Sequence, residues 1–415
     1  MRRVAVTGIG VVSPLGNSAE QLIANAVAGR SAVRVLEQPW CRRLAAPLAA
    51  TATFNADEHF DPPRLRMLDR VSQFALVAAR DAIDHARLDV GNQDPQRIGV
   101  FVGSGMGGSL SNDEGYRTLY QEQSDRIKPF TILTGMTNAA AAWIGTEFHI
   151  TGPNLTYSTA CSSSAVAIGE AWNRLRHGEL DVAFAGGAEA PLSFGSLKAW
   201  EALHTLATVD AADAATSCKP FSADRSGMVL GEGAAIVVLE EWAHAISRGA
   251  TIHGELIGYG LVTDVAHITR PSVAGQAAAL QAALTAAACI PASIDCINAH
   301  ATGTLANDAV ETAAIKQVFG EHAYHTPISA TKAIHGHLLG ASGALEFVLC
   351  LLSMQRKVLL PTMHLQQPAP DCDLDYVPNC ARHDTEVRTI LSSSFAFGGT
   401  NAVLVARYAD PQGFT

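Results

Sequence analysis

The chain has 415 residues, 48% hydrophobic and 16% charged, with 35 glycines and a net charge of -10. That mix excludes a disordered or coiled-coil chain; it fits a buried α/β protein of two or three domains, or one large duplicated unit. The acidic balance argues against nucleic acid or an anionic membrane surface as a partner, and no run of about 18 apolar residues appears. An apolar run begins at Val4, leaving no space for a signal peptide's separate regions, so a soluble cytoplasmic protein is expected.

Taken in chain order, residues 3–9 read as a strand, and a helix opens at Ser18 with Gln21 three residues on, a capping-box pattern. Residues 64–87 place Val71, Phe74, Ala75, Ala78 and Ala82 at helical spacing. A strand at 97–102, a helix near 135–148, a strand at 154–159 and a helix from 161 to about 177 follow. Strands near 233–240 and 252–260, a helix at 274–289 and a strand at 294–299 come next. A helix from 308 with Asn307 as its cap, a strand at 326–330, a helix at 340–356 and strands around 389–394 and 401–407 complete the pattern. Such alternation predicts layered α/β architecture with buried sheets. No Pro/Ser-rich linker divides the chain, so two halves, 1–250 and 251–415, are expected to pack as one body.

Eight cysteines show no CxxC pair, which points to free thiols in a cytosolic enzyme. Cys372, Cys380 and His383 make a poor zinc set, and no metal is expected. Cys161 differs from the rest. It lies in Thr159-Ala160-Cys161-Ser162-Ser163-Ser164, between a strand and a small-residue helix. Free amides and the dipole at a helix start favour thiolate, which suits a nucleophile. His300, in Asn298-Ala299-His300-Ala301-Thr302-Gly303-Thr304, ends a strand in a small-residue loop, and His337 follows Lys332 in a Lys-x-x-x-Gly-His pattern.

These blocks, with Ser392-Ser393-Ser394-Phe395-Ala396-Phe397-Gly398-Gly399-Thr400-Asn401, occur in one order along the chain. The chain thereby resembles the β-ketoacyl-acyl-carrier-protein synthases, the type I/II condensing enzymes, over nearly its whole length. The resemblance implies a thiolase-like five-layer αβαβα fold of two similar halves. The first would carry the nucleophile; the second would carry both histidine motifs and the gating loop. It implies that Cys161 accepts an acyl chain and that the amides of Cys161 and Phe397 form an oxyanion hole. His300 and His337 would support decarboxylation of a malonyl thioester as neutral hydrogen-bond donors, assisted by Lys332 and Glu346. Phe397, Gly398 and Gly399 would form the gate, and Thr302 and Thr304 would hold a phosphopantetheine arm. Met106, Phe130 and Thr131 would line the acyl pocket. No cofactor would be held permanently, because substrates arrive on the phosphopantetheine of an acyl carrier protein. Arg64, Arg66, Arg126 and Lys128 are the candidate patch for that acidic partner. A homodimer and a heterodimer with a related chain-length subunit both remain open. His335 reads as a bystander.

Gly103-Ser104-Gly105-Met106-Gly107-Gly108 satisfies G-x-G-x-x-G after a strand, but residues 109–125 read as polar and turn-rich, with no helix to receive a pyrophosphate. Two positions depart from the family pattern. Ala396 stands where glycine is usual, which is expected to alter loop movement, and Thr131 replaces a bulky gate residue. Both hint at an unusual acyl chain. A thiolase would place a second cysteine near the C-terminal motif, a type III synthase would pair one His with an Asn, and a non-catalytic chain-length subunit would lack Cys161.

Overall fold

One arrangement of strands and helices occurs twice. The computed structural model describes residues 1–409. In the first half, β1 (Val4–Val12) leads to α1 (Arg70–Ala86), β2 (Ile98–Gly103), α2 (Ala139–Glu147), β3 (Asn154–Tyr157), α3 (Ser163–Arg176), β4 (Val182–Glu189) and β5 (Gly233–Glu241). In the second, β6 (Gly254–Thr263) leads to α4 (Val273–Ala286), β7 (Cys296–Asn298), α5 (Asn307–Phe319), β8 (Ile328–Ser329), α6 (Ser342–Arg356), β9 (Thr389–Phe395) and β10 (Thr400–Arg407). The strands run in the order β3-β2-β4-β5-β1-β6-β10-β9-β7-β8, so each half repeats one topology outward from the centre. In each half the inner two pairings are antiparallel and the outer two parallel. The halves join through two residue pairs, Ala5 with Glu255 and Val6 with Gly254.

The same packing device is also used twice. A Cβ on Gly8 or Gly10 of β1 would fall 2.2 or 1.9 Å from the carbonyl oxygens of Ala82 and Ala78 on α1. On β6, a Cβ on Gly258 or Gly260 would fall 2.7 or 2.4 Å from those of Ala283 and Ala279 on α4. Alanine-rich outer helices thus lie directly on glycine-bearing central strands, at the closest approach backbones allow.

Helices α3 and α6 fill the space between the half-sheets. Val166 and Ile168 of α3, and Leu345 and Val348 of α6, share one buried apolar cluster with Ile9, Val11, Leu239 and Leu404. Each such side chain contributes roughly 1.5–3 kcal/mol by leaving water. With α1 and α2 on one outer face and α4 and α5 on the other, this is a five-layer thiolase-like body. At the N-termini of α3 and α6 only small residues fit. A Cβ on Gly343 would meet the Ala165 Cβ at 2.9 Å, and the Ala344 amide donates to Ser164 Oγ at 2.9 Å.

Several expectations need correction. The helix expected over 64–87 is two helices, Pro62–Leu65 and α1: the first stops at its C-cap Arg66, and Asp69 caps the next by accepting from the Val71 amide at 3.0 Å. A helix does follow the glycine-rich loop: Ser109–Tyr116 is helical despite its polarity. The Val182–Glu189 strand and the helices Phe194–Ala202 and Trp242–Ser247 were not anticipated, since runs as apolar as β4 have no alternation to mark them. Asn307 is not a cap: its amide donates to Thr304 Oγ1 and its side chain donates to Glu311. At Ser18 half of the capping box forms, for Gln21 Oε1 accepts from Asn17 instead of the Ser18 amide.

Candidate active site

Cys161 sits at the tip of a 3-10 turn, Ala160–Ser162, that opens α3. Ala160 holds a left-handed φ of +51°, a strained value for alanine that lifts the next residue out of the helix path. Ser163 Oγ accepts from the Thr159 amide at 2.9 Å and donates to the Ala160 carbonyl at 2.6 Å, so hydroxyls satisfy the turn that backbone alone would leave unpaired.

The histidines arrive from the other half. His300 follows β7, and its amide and that of Ala301 both donate, at 2.7 Å, to the buried carboxylate of Glu311 on α5. His337 is clamped through its backbone: its amide donates to the Val229 carbonyl at 2.7 Å and its carbonyl accepts from Gly231 at 2.9 Å. The rings of His300 and His337 lie 5.3 Å apart, nearly perpendicular. Cys161 Sγ and the ligating nitrogens of both histidines fall within 4.8 Å of one another, all buried.

The tautomer of His337 follows from its partners. The Leu339 amide donates to Nδ1 at 3.2 Å, and Ser342 Oγ lies 2.8 Å from the same nitrogen. Nδ1 is therefore an acceptor and the ring proton sits on Nε2, which is buried without a protein partner. Burial and the nearby Lys332 hold both His300 and His337 well below the ordinary imidazole range, so both are neutral. Lys332 is fully buried and ion-paired to Glu346, whose carboxyl burial pushes up to about 7 against the pull of the ammonium. His335 is also buried, bonded to Thr331 Oγ1 at 3.0 Å, and does not line the cavity.

The thiolate expectation is overturned. Burial pushes the Cys161 thiol up to about 11, outweighing Lys332 and the hydrogen bonds from the amides of Phe397 and Cys161. At neutral pH the residue is a thiol. A Cys–His–His set could in principle hold a metal, but Lys332 beside both imidazoles and a sulfur that keeps its proton disfavour a divalent cation. Cys372, Cys380 and His383 form no such cluster among the described residues.

A cavity of about 270 Å³ joins Cys161, His300, His337, Thr302, Thr304 and Phe397. Its other wall is the 264–271 loop, which the sequence did not reveal because nothing in its composition separates it from an ordinary surface loop. That loop is tied to the Phe397 loop: Gly398 N–H donates to the Ile268 carbonyl at 2.7 Å, and Asp264 N–H to that of Gly399 at 2.7 Å. Gly399, at φ +78°, has no alternative, since a Cβ would fall 1.8 Å from the Asp264 carbonyl oxygen. Ala396 is absent from the positive-φ residues, so alanine is unstrained there in this conformation.

Met106, Phe130 and Thr131 do not line this cavity. Met106 packs with Leu339 and Met228, whereas Phe130 and Thr131 line a separate groove with Arg66, Arg126 and Lys128. Arg64 lies outside that group, paired with Glu147 against the Trp143 ring, and Lys128 pairs with Glu114. Among the described residues no helix is long and apolar enough to cross a membrane.

Residues 1–245 match the family description "Beta-ketoacyl synthase, N-terminal domain", and residues 253–366 match "Beta-ketoacyl synthase, C-terminal domain". The chain belongs to the β-ketoacyl synthase family. It is therefore an acyltransferase of the carbon–carbon bond-forming type. It is 42% identical to nodulation protein E of Rhizobium meliloti (strain 1021), over 97% of this chain and 98% of that one. Identity to 3-oxoacyl-[acyl-carrier-protein] synthase 2 of Staphylococcus aureus (strain N315) is 38%, again over 97% and 98%. Among solved structures, the ishigamide ketosynthase/chain length factor superposes with a TM-score of 0.91 at 33% identity, covering 99% of this synthase and 100% of that chain.

Proposed function

We propose that this synthase extends an acyl chain by decarboxylative condensation with a malonyl unit, both carried on the phosphopantetheine of an acyl carrier protein. The observation that carries the reading is the convergence of Cys161, His300 and His337 within 4.8 Å, with the proton of His337 aimed inward on Nε2. The Cys161 thiol attacks the acyl thioester, its proton passing to the departing carrier thiolate. This order suits a sulfur that is protonated at rest. The amides of Cys161 and Phe397 already direct hydrogen bonds at the sulfur and would receive the oxyanion. The malonyl thioester then binds with its carbonyl oxygen toward the two imidazoles. As the bond from the malonyl α-carbon to its carboxylate breaks and CO₂ leaves, the electron pair passes to the thioester oxygen as an enolate that both rings stabilise without carrying charge themselves. The enolate carbon attacks the acyl-Cys161 carbonyl, a carbon–carbon bond forms, and sulfur leaves as a thiolate that takes up a proton from solvent, replacing the one lost with the carrier thiol.

In this reading Lys332 and Glu346 hold the local field, and Thr302 and Thr304 receive the phosphopantetheine arm along the cavity wall. Phe397, Gly398 and Gly399 gate it. Residues 1–250 supply the nucleophile, and residues 251–415 supply the histidines and the gate. Arg66, Arg126 and Lys128, which share one groove, form the carrier patch, and Arg64 is spent on Glu147. Met106, Phe130 and Thr131 would join the acyl pocket beside a second subunit. The exposed apolar side chains Phe130, Ile132, Leu133 and Met136 support that partner, either a second copy or a related chain-length subunit. The cytoplasm is the compartment we assign.

The test is intact mass after incubation with acylated carrier. A covalent acyl adduct on the wild type and none on Cys161→Ala is expected. An equal adduct on both would sink the mechanism. A His300→Ala variant that decarboxylates malonyl carrier at full rate would remove the histidine role.

A further inference from the structure

The glycine-rich loop that resembles a nucleotide fingerprint has an occupant, and it is a side chain of the protein. Glu189, the last residue of β4, is completely buried. Its Oε2 accepts from the Gly105 amide at 2.6 Å and the Gly340 amide at 2.9 Å; its Oε1 accepts from the Met106 amide at 3.0 Å and Ser104 Oγ at 3.2 Å. Among the described residues no ion pair includes it. Three backbone amides and a hydroxyl do the work a cation would do, much as such a nest receives a phosphate. Glycine is needed on both sides. A Cβ on Gly105 would lie 3.0 Å from Oε2, and one on Gly340 would lie 2.7 Å from Oε2 and 2.4 Å from the Gly105 amide nitrogen.

What this carboxylate joins gives it meaning. Ser104, Gly105 and Met106 belong to the first half, and Gly340 belongs to the second. Gly340 follows Leu339, whose amide sets the His337 tautomer, and it sits in the 3-10 turn Leu339–Ala341. Lys332 and Glu189 both act on the Cys161 sulfur through charge: the ammonium favours the thiolate, and the ionised Glu189 carboxylate opposes it, while His300 and His337 lie within 4.8 Å of the sulfur.

We propose that Glu189 is a positioning residue of the condensing site, holding the Leu339–Ala341 turn, and with it His337, in register with Cys161 across the two halves. This rests on the condensing reading above. Burial, which pushes the Glu189 carboxyl up to about 7 against the pull of its four donors, marks the site as costly to keep for packing alone.

The experiment uses the full-length protein and the variants Glu189→Gln and Glu189→Asp, with melting temperature recorded for each. Two rates are compared: decarboxylation of malonyl carrier, and alkylation of Cys161 by iodoacetamide followed by intact mass from pH 7 to 10. Gln keeps the size but turns an N–H₂ group on the amides, so decarboxylation is expected to fall about tenfold or more. Alkylation should not slow; loss of the neighbouring charge is expected to raise it about threefold from pH 8 to 10, and by less at pH 7, where the wild-type carboxyl is partly protonated. Asp keeps the charge at a shorter reach, and should lower decarboxylation with alkylation at the wild-type rate, which carries the test if the Gln variant does not fold. Decarboxylation within twofold of wild type, or both rates falling together with the melting temperature, overturns the proposal. A wild type inert toward malonyl carrier would indict the condensing reading and not Glu189. The alkylation profile of Glu189→Gln then decides alone, and no change in it overturns the assignment.

Discussion

The turns Ala160–Ser162 and Leu339–Ala341 occupy matching places in the two halves, one before α3 and the other before α6. Each begins on a non-glycine residue with left-handed φ, +51° at Ala160 and +46° at Leu339. Each has its middle residue at the meeting point of the core helices. In the first turn that residue is Cys161; in the second it is Gly340. The reach across is also matched: from the end of β9, Phe397 directs its amide at Cys161, and from the end of β4, Glu189 directs its carboxylate at Gly340. One copy of the device presents the Cys161 thiol to a cavity. The other has its anion site filled by the protein and holds a histidine instead. Duplication supplied two equivalent helix N-termini, and the side chains at their tips divided the labour.

The most severe way to break this difference is to make the first turn like the second. Cys161→Gly should leave no acyl adduct and lower β-ketoacyl product formation by about four orders of magnitude or more, measured by mass of the carrier-bound product. Next comes the histidine that the second turn holds. His337→Ala is expected to slow malonyl decarboxylation by roughly 10²–10³-fold, the cost of one donor at a developing oxyanion, while acylation of Cys161 stays within a few-fold. The reverse exchange, a side chain on the second tip, is steric. Gly340→Ala forces a Cβ against Gly105 and Glu189 and should cost about 2–4 kcal/mol of stability, read by denaturant titration.

The first turn's chemistry can be sharpened by pH. With the thiol pushed up to about 11, alkylation of Cys161 should climb close to tenfold per pH unit from pH 7 to 10, since thiolate is the minor form throughout. A plateau near neutral pH would mean that the helix N-terminus wins over burial. The smallest effect is expected at Ala396→Gly: the native φ is not left-handed, so glycine adds only chain freedom and should cost within about 1 kcal/mol in melting experiments.

Much of this was legible early because its signals are local. Apolar runs and glycine spacing mark β1, β2 and β6, and Cys161, His300 and His337 stand in short motifs of small residues at strand ends. Glu311 carried no such signal, because its buried face on α5 also holds Asn307, Asp308 and Thr312, and the sequence does not separate it from a solvated acid. The 264–271 loop and Trp200, which stacks on the Phe397 ring at 6.0 Å, carried no such mark. Helicity at Ser109–Tyr116 was misread because its polar residues are paid for by neighbours: Ser111 bonds Asp69, and Asn112 packs on Gly135.

By itself the sequence determined which residues stand at strand ends and helix starts, because backbone preference and apolar periodicity act over a few residues. It therefore determined the family, and it singled out Cys161, His300 and His337 as the candidate site. Only the tertiary structure decided their state. Whether Cys161 is thiol or thiolate depends on desolvation by atoms from both halves, outweighing a local helix effect that is visible in sequence. The role of the G-x-G-x-x-G loop was likewise decided at a distance, by a carboxylate 84 residues away along the chain that fills its amides. Burial and charge are sums over space, and neither can be read along a chain.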